Sequence, residues 1–236
     1  MKDVIARIKL ESGFSSKFQT DVLREITKRI KHTAPRIKEV MTDRIRDAVR
    51  ESLFSTAEYQ SITKGKLRAE LGIPEASTRI TSVINTWVDN IKVTVKTGTT
   101  PLLLIDIGMI RDDYGDVLSL PAAQYTYRSK RSQGEIPWLK WLLLEGDKRI
   151  ITKYEFSNNP RGSRTGMGIM VSKERGFWQV PAEFSGTSVN NFATRALGNI
   201  GNTIDSIVEQ VVKESLKWVV IFLLHLQKYH KLVILF

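Results

Sequence analysis

Apolar residues fall along this chain at two different periods, and the switches between them mark out the elements. From Leu23 through Ile26, Ile30, Ala34, Ile37, Met41 and Ile45 to Val49 they recur every three or four residues, the stripe of one helix face. Residues 1 to about 56 therefore read as helical, with Pro35 interrupting the run. A proline removes a backbone donor and disfavours helical geometry at the residue before it, so the pattern predicts a kink or two helices meeting near Thr33. A short helix fits residues 63 to 71, stopped by Gly72 and Pro74, and a second follows Ser77 with Ile80, Val83, Ile84, Trp87 and Val88 on one face.

At Ile91 the period becomes two. Ile91 to Lys96 alternates like a strand with one buried face, and after a turn at Gly98 to Pro101, Leu102 to Ile110 reads as a mostly buried strand. Ala123 to Tyr127 and Ile150 to Phe156 are further strands, and Pro137 to Gly146 is a short buried helix. Ile169 to Val171 and Phe177 to Val180 flank Lys173 to Gly176, which predicts a hairpin turn there. The last helix is expected to start after Thr187 or Ser188 and to carry Phe192, Ala196, Ile200, Ile204, Ile207, Val208, Val211 and Val212. The fold expected is α+β, with long N-terminal and C-terminal helices packed on a small, mainly antiparallel β-sheet. Its spans are a helical region 1–90, a sheet-and-helix region 91–216 and an apolar tail 217–236.

Composition narrows the function. Apolar residues are 42% and charged residues 26% of the 236 positions, ordinary for a globular chain. The net charge of +11 favours an anionic partner, nucleic acid or an acidic protein surface, without supplying sequence readout. With no cysteine there is no disulfide framework, thiolate zinc site or thiol nucleophile. The N-terminal residues lack the apolar run of a secretory signal. The tail is apolar from Trp218 to Leu224 but then broken by His225, Gln227, Lys228, His230 and Lys231, so a buried or partner-covered helix end is expected, not a membrane span. A tail that abandons the preceding stripe also fits translation past a shifted reading frame.

Candidate chemistry is sparse. Gly65-Lys66 lacks the upstream glycine and following Ser or Thr of a phosphate-binding loop, although Lys64, Lys66 and Arg68 stand where an anion could meet a helix start. Asp106, Asp112 and Asp113 are the best metal-ligand candidates, with Glu155 a fourth acid, but no companion stands at ligand spacing and the group reads as a solvated turn. His225 and His230 are five apart, off the spacing of a helical metal pair, and His32 has no second ligand nearby. No catalytic, cofactor or metal site is expected. What stands out is a mobile, exposed turn-forming loop, Asn158 to Gly166, with Arg161 and Arg164. A second basic loop, Arg128 to Gly134, contains Lys130 and Arg131. Arg161, Arg164, Arg128, Lys130 and Arg131 are the expected protein or DNA interface.

Three motifs in this half of the chain occur together: Ser163-Arg164-Thr165-Gly166, Val180-Pro181 through Glu183-Phe184 to Gly186-Thr187, and Asn191-Phe192 through Arg195-Ala196-Leu197. With Tyr59 to Ile73 they resemble small virion proteins of tailed bacteriophages, in particular the tail-completion or head–tail joining (neck) group. The resemblance implies long helices flanking a small sheet, assembly into a homo-oligomeric ring and a place in the virion at the portal–tail junction. Portal, neck or tail proteins would be its neighbours there, with genomic DNA in the channel a further candidate partner and no cofactor or membrane involved. The tail has no counterpart in that group, and the N-terminal helices are longer than in its smallest members. Charge alone supports another reading, a basic DNA-binding protein without sequence specificity acting outside the virion. A DNA-directed enzyme would need converging carboxylates, which the sequence does not display.

Overall fold

In a computed structural model, residues 4–7, 16–108, 113–128, 133–218 and 221 are described. The chain is α+β and divides into two compact units, each discontinuous in sequence. One comprises Met1–Asp47, Ile91–Met109 and Asn202–Phe236; the other comprises Ala48–Asn90 and Ile110–Gly201.

The first unit is built on helix α1, Ser16–Ser55, whose turns from Ala48 onward belong to the second unit. Ile26, Ile30, Ala34, Ile37, Met41 and Ile45 are buried along one face, as the stripe predicts, while at its start Val22 is buried and Leu23 only half-buried. Of the two outcomes expected near Thr33, two separate helices do not occur: Pro35 lies inside one uninterrupted helix. Its position on the helix explains this. Pro35 and Lys31 are both exposed, so the Lys31 carbonyl that loses its i+4 donor faces water. Strands β2 (Lys92–Thr97) and β3 (Leu102–Gly108) pair antiparallel, with Val93 opposite Ile107 and Val95 opposite Ile105. The N-terminus also departs from the helical expectation, since Val4–Arg7 (β1) pairs antiparallel with β3 and gives the order β1-β3-β2. Helix α8, Gly201–Ser215, presents buried Ile204, Val208 and Val211, and Glu214 meets Arg44 of α1 at 3.0 Å.

The second unit holds α2 (Ala57–Lys64), α3 (Lys66–Leu71) and α4 (Ala76–Asp89). The single short helix expected over 63 to 71 is two, parted at Gly65, where a Cβ would press on the Ser61 backbone at 2.9 Å. Gly72 closes α3 in the left-handed region, and the predicted apolar face of α4 is buried throughout. A one-turn helix α5 (Gly115–Leu118), strands β4 (Tyr125–Arg128) and β5 (Gln133–Ile136), and α6 (Trp138–Leu143) follow. Trp138 is fully buried and its indole N–H donates to the Ala122 carbonyl at 2.9 Å, a packing role. Trp87 lies among Tyr114 and Phe192, with ring centroids 5.7 and 6.1 Å away.

Three expectations for this region change. Among the described residues the strands form three small antiparallel sheets (β1-β3-β2, β4-β5 and β6-β7) instead of one. Lys173 to Gly176 is no hairpin turn: β7 runs unbroken over Ile169–Trp178 and pairs with β6, Ile151–Ser157. The register jumps from Thr152 opposite Phe177 to Tyr154 opposite Ser172, so those four residues bulge opposite Lys153, which has φ of 62°. The last helix starts later than expected and is divided, as α7 (Phe192–Asn199) and α8. Asn191, not Thr187 or Ser188, is its N-cap. The Asn191 side chain accepts from the Thr194 N–H, and Thr194 Oγ1 accepts from the Asn191 N–H, a reciprocal cap.

Candidate interface on the Arg-Gly hairpin

Because β6 and β7 pair with each other, residues 158–168 are the tip of their hairpin, and Arg161 and Arg164 are carried on it. The loop has internal order. The backbone N–H groups of Thr165, Met167 and Gly168 all point at Ser163 Oγ, each at 3.2 Å, and the Arg161 N–H donates to Asn159 Oδ1 at 3.0 Å. A loop without buried apolar side chains can hold its shape only through such bonds, and here one hydroxyl gathers three of them.

Arg164 does not simply project into solvent. Its guanidinium lies over the rings of Tyr127 (5.2 Å to the centroid) and Tyr125 (5.6 Å) on β4, and Arg79 of α4 lies over Tyr125 at 5.4 Å. Two cations thus share the Tyr125 ring. Arg79 is itself fixed by donating to the carbonyls of Pro74, Pro121 and Gln124. An Arg164 nitrogen also lies 3.0 Å from where a Cβ on Gly72 would stand, so the glycine ending α3 leaves the room that the guanidinium uses. Arg164 remains exposed at its edge, as do Arg161 and Arg128. Guanidinium over tyrosine is a cation–π arrangement that leaves the N–H edge free to bond an anion.

The structure therefore brings Arg164 to the strand that ends in Arg128, while Arg161 is an exposed residue elsewhere in the same loop. Lys130 and Arg131 lie outside the described residues. Sequence reasoning misses Arg79, Tyr125 and Tyr127. The Tyr-Thr-Tyr alternation of β4, which puts both rings on one face, is the signal that could have found the tyrosines.

Behind this surface, the segments that carry the resemblance are physically joined. Trp178 Nε1 donates to the buried Glu70 at 2.9 Å, which links β7 to α3; Lys66 lies 3.6 Å from a carboxylate oxygen of Glu70 and 3.8 Å from Glu183. Lys66, at the helix start where an anion could have bound, is thereby engaged within the fold. Arg195 of α7 forms an ion pair with the buried Glu58 of α2, and donates to Asn190 Oδ1 at 2.9 Å. Asn191, fully buried, donates from Nδ2 to Tyr114 Oη (2.8 Å) and to the carbonyls of Thr187 (2.9 Å) and Leu143 (3.2 Å). A Cβ at Gly186 would collide with the Leu142 carbonyl oxygen and Asn191, so the glycine of the Val180–Thr187 motif permits the backbone approach in which Gly146 N–H bonds the Gly186 carbonyl at 3.0 Å.

The acidic candidates are distributed differently. Asp106 is exposed on β3 opposite Thr94, Asp113 accepts the Gly115 N–H at 3.0 Å, and Glu155 pairs with Lys173 across the hairpin. Asp112, His225 and His230 lie outside the described residues. Among the described residues no group of three His, Cys, Asp or Glu is placed to hold a metal ion, and no helix is long and apolar enough to cross a membrane. Compared with protein-family models, characterised proteins and solved structures, the chain matches none.

Proposed function

We propose that this chain is a structural virion protein of a tailed bacteriophage, assembling as a homo-oligomeric ring at the neck or upper tail, where it joins head to tail. One observation carries the reading. The motifs of the resemblance are four separated stretches of sequence, yet they form one bonded module in which Lys66 meets Glu183, Asn191 donates to the Thr187 carbonyl and Gly72 makes room for Arg164. That module is a rigid base for an ordered Arg-Gly hairpin, a mechanical arrangement suited to contact with a neighbouring subunit or with DNA. Arg161, Arg164 and Arg128 are its contact residues. Purified protein examined by negative-stain microscopy and light scattering is expected to form rings, and antibodies are expected to label particles at the head–tail junction. A protein that stays monomeric at all concentrations and is absent from particles overturns the proposal.

The alternative, a DNA-binding protein outside the virion, draws support from the Arg79–Tyr125–Arg164 stack beside Arg128, a cationic patch with aromatic backing. Strong duplex binding by a protein excluded from particles favours it over the ring.

A further inference from the structure

A second cationic surface lies on the first compact unit, on residues not assigned above. Arg24, Lys28 and Lys31 stand at i, i+4 and i+7 on α1 and line a groove of about 580 Å³ with Thr20, Leu23 and Thr27; Thr99, Thr100 and Pro101 of the β2–β3 turn complete it. Among the described residues, no acidic side chain lines it. Lys28 is the ridge between this groove and another of about 500 Å³, where Arg29 continues the positive charge, Glu25 supplies one acid and Arg29 lies 5.3 Å over the Trp218 ring. Lys28 and Lys31 have no ion pair among the described residues, and the Asp21 contact to Arg24, 3.2 Å, is between exposed side chains that water screens.

We infer that this groove binds the phosphodiester backbone of duplex nucleic acid without reading its sequence. Like charges three and four residues apart on a helix oppose its formation, a cost that an anion in the groove removes. The polar groups present suit a repeating polyanion better than a small ligand with a single charge. Thr20 and Thr27 hydroxyls already donate to the carbonyls of Ser16 and Leu23, at 2.9 and 2.7 Å, so the donors left on the helix wall are the cations. Among the described residues no aromatic side chain lines the groove, which favours contact with the phosphates over base stacking. Seven helical residues rise roughly 10 Å, about three phosphate spacings along one strand.

The inference is independent of ring formation and is tested on the full chain with a fluorescent 20-base-pair duplex of arbitrary sequence. Anisotropy gives log K against log salt concentration, and light scattering on the same samples reads assembly separately. Wild-type protein is expected to bind with a steep negative slope. Lys28→Gln with Lys31→Gln is expected to flatten that slope by about 2, one for each phosphate no longer neutralised, with circular dichroism unchanged because both side chains are exposed. An unchanged slope overturns the inference, as does displacement of the duplex by polyglutamate of equal charge at equal concentration, which would mark an acidic protein surface as the partner. A measurement on unaltered protein avoids reliance on the variant: amine-reactive labelling of Lys28 and Lys31 should fall when duplex is present, and equal labelling with and without it also overturns the assignment.

Discussion

Asn191 shows how much one side chain decides in this molecule. Its Oδ1 caps α7 by accepting from Ala193 and Thr194, while Nδ2 serves Tyr114, Thr187 and Leu143 in a fully buried site. Asn191→Ala removes a cap worth about 1 kcal/mol and strands buried partners at about 1–3 kcal/mol more, so urea unfolding should show a loss of roughly 2–4 kcal/mol. Asn191→Asp retains the cap acceptor but not the Nδ2 donors, and should recover only part of that loss. Glu25 illustrates the opposite extreme, an exposed group. The hydrogen bond from Arg29 is the main cause holding its carboxyl below the usual value, with the charges of Arg29 and Lys28 adding to it. A depressed folded-state value means the interaction helps folding at neutral pH, and that its contribution disappears as pH falls through the carboxylate range. NMR titration should find Glu25 below an ordinary glutamate, and Arg29→Ala should return it upward.

Helix α1 and the β6–β7 hairpin are the elements on which sequence expectation and structure part. The apolar stripe of α1 was legible because burial on one face leaves a period that survives in the sequence; the effect of Pro35 was not, because it depends on which way the residue faces. Restoring the missing donor with Pro35→Ala should raise stability by up to about 2 kcal/mol in thermal or urea unfolding, the helix gain of about 3 kcal/mol being offset by a freer unfolded chain. In the hairpin, Lys173 to Gly176 has turn-like composition, but pairing between distant strands outweighs it and turns the segment into a bulge. The loop at the tip keeps its shape through Ser163. Ser163→Ala should cost about 1 kcal/mol, read locally as faster hydrogen exchange at the amides of Thr165, Met167 and Gly168. Within the second unit, Gly186→Ala places a methyl group against the Leu142 carbonyl and should destabilise by about 3 kcal/mol.

Two compact units, each assembled from separated stretches of chain, carry between them a net charge of +11 and two distinct cationic surfaces. Substituting Arg161 and Arg164 together by Gln should leave the circular dichroism spectrum intact while reducing ring yield or incorporation into particles, because both side chains have exposed cationic groups. The α+β class, the buried faces of α1 and α4, the strands β2 and β3 and the distinctiveness of the Arg-Gly stretch were all legible in the sequence, since they rest on local periodicity and composition. Local pattern carries no information about which distant partner a side chain or strand finds. Tertiary structure alone set the three separate sheets, the hairpin that makes residues 158–168 a tip, the buried partners of Glu58, Glu70 and Asn191, and the tyrosines beneath Arg164. It also set the groove on α1, where the spacing of Arg24, Lys28 and Lys31 is a property of the sequence but the β2–β3 turn that walls it is not. The division follows from the physics: the helical and extended periods are written residue by residue, whereas strand pairing, buried hydrogen bonds and grooves exist only once segments far apart in the chain are brought together.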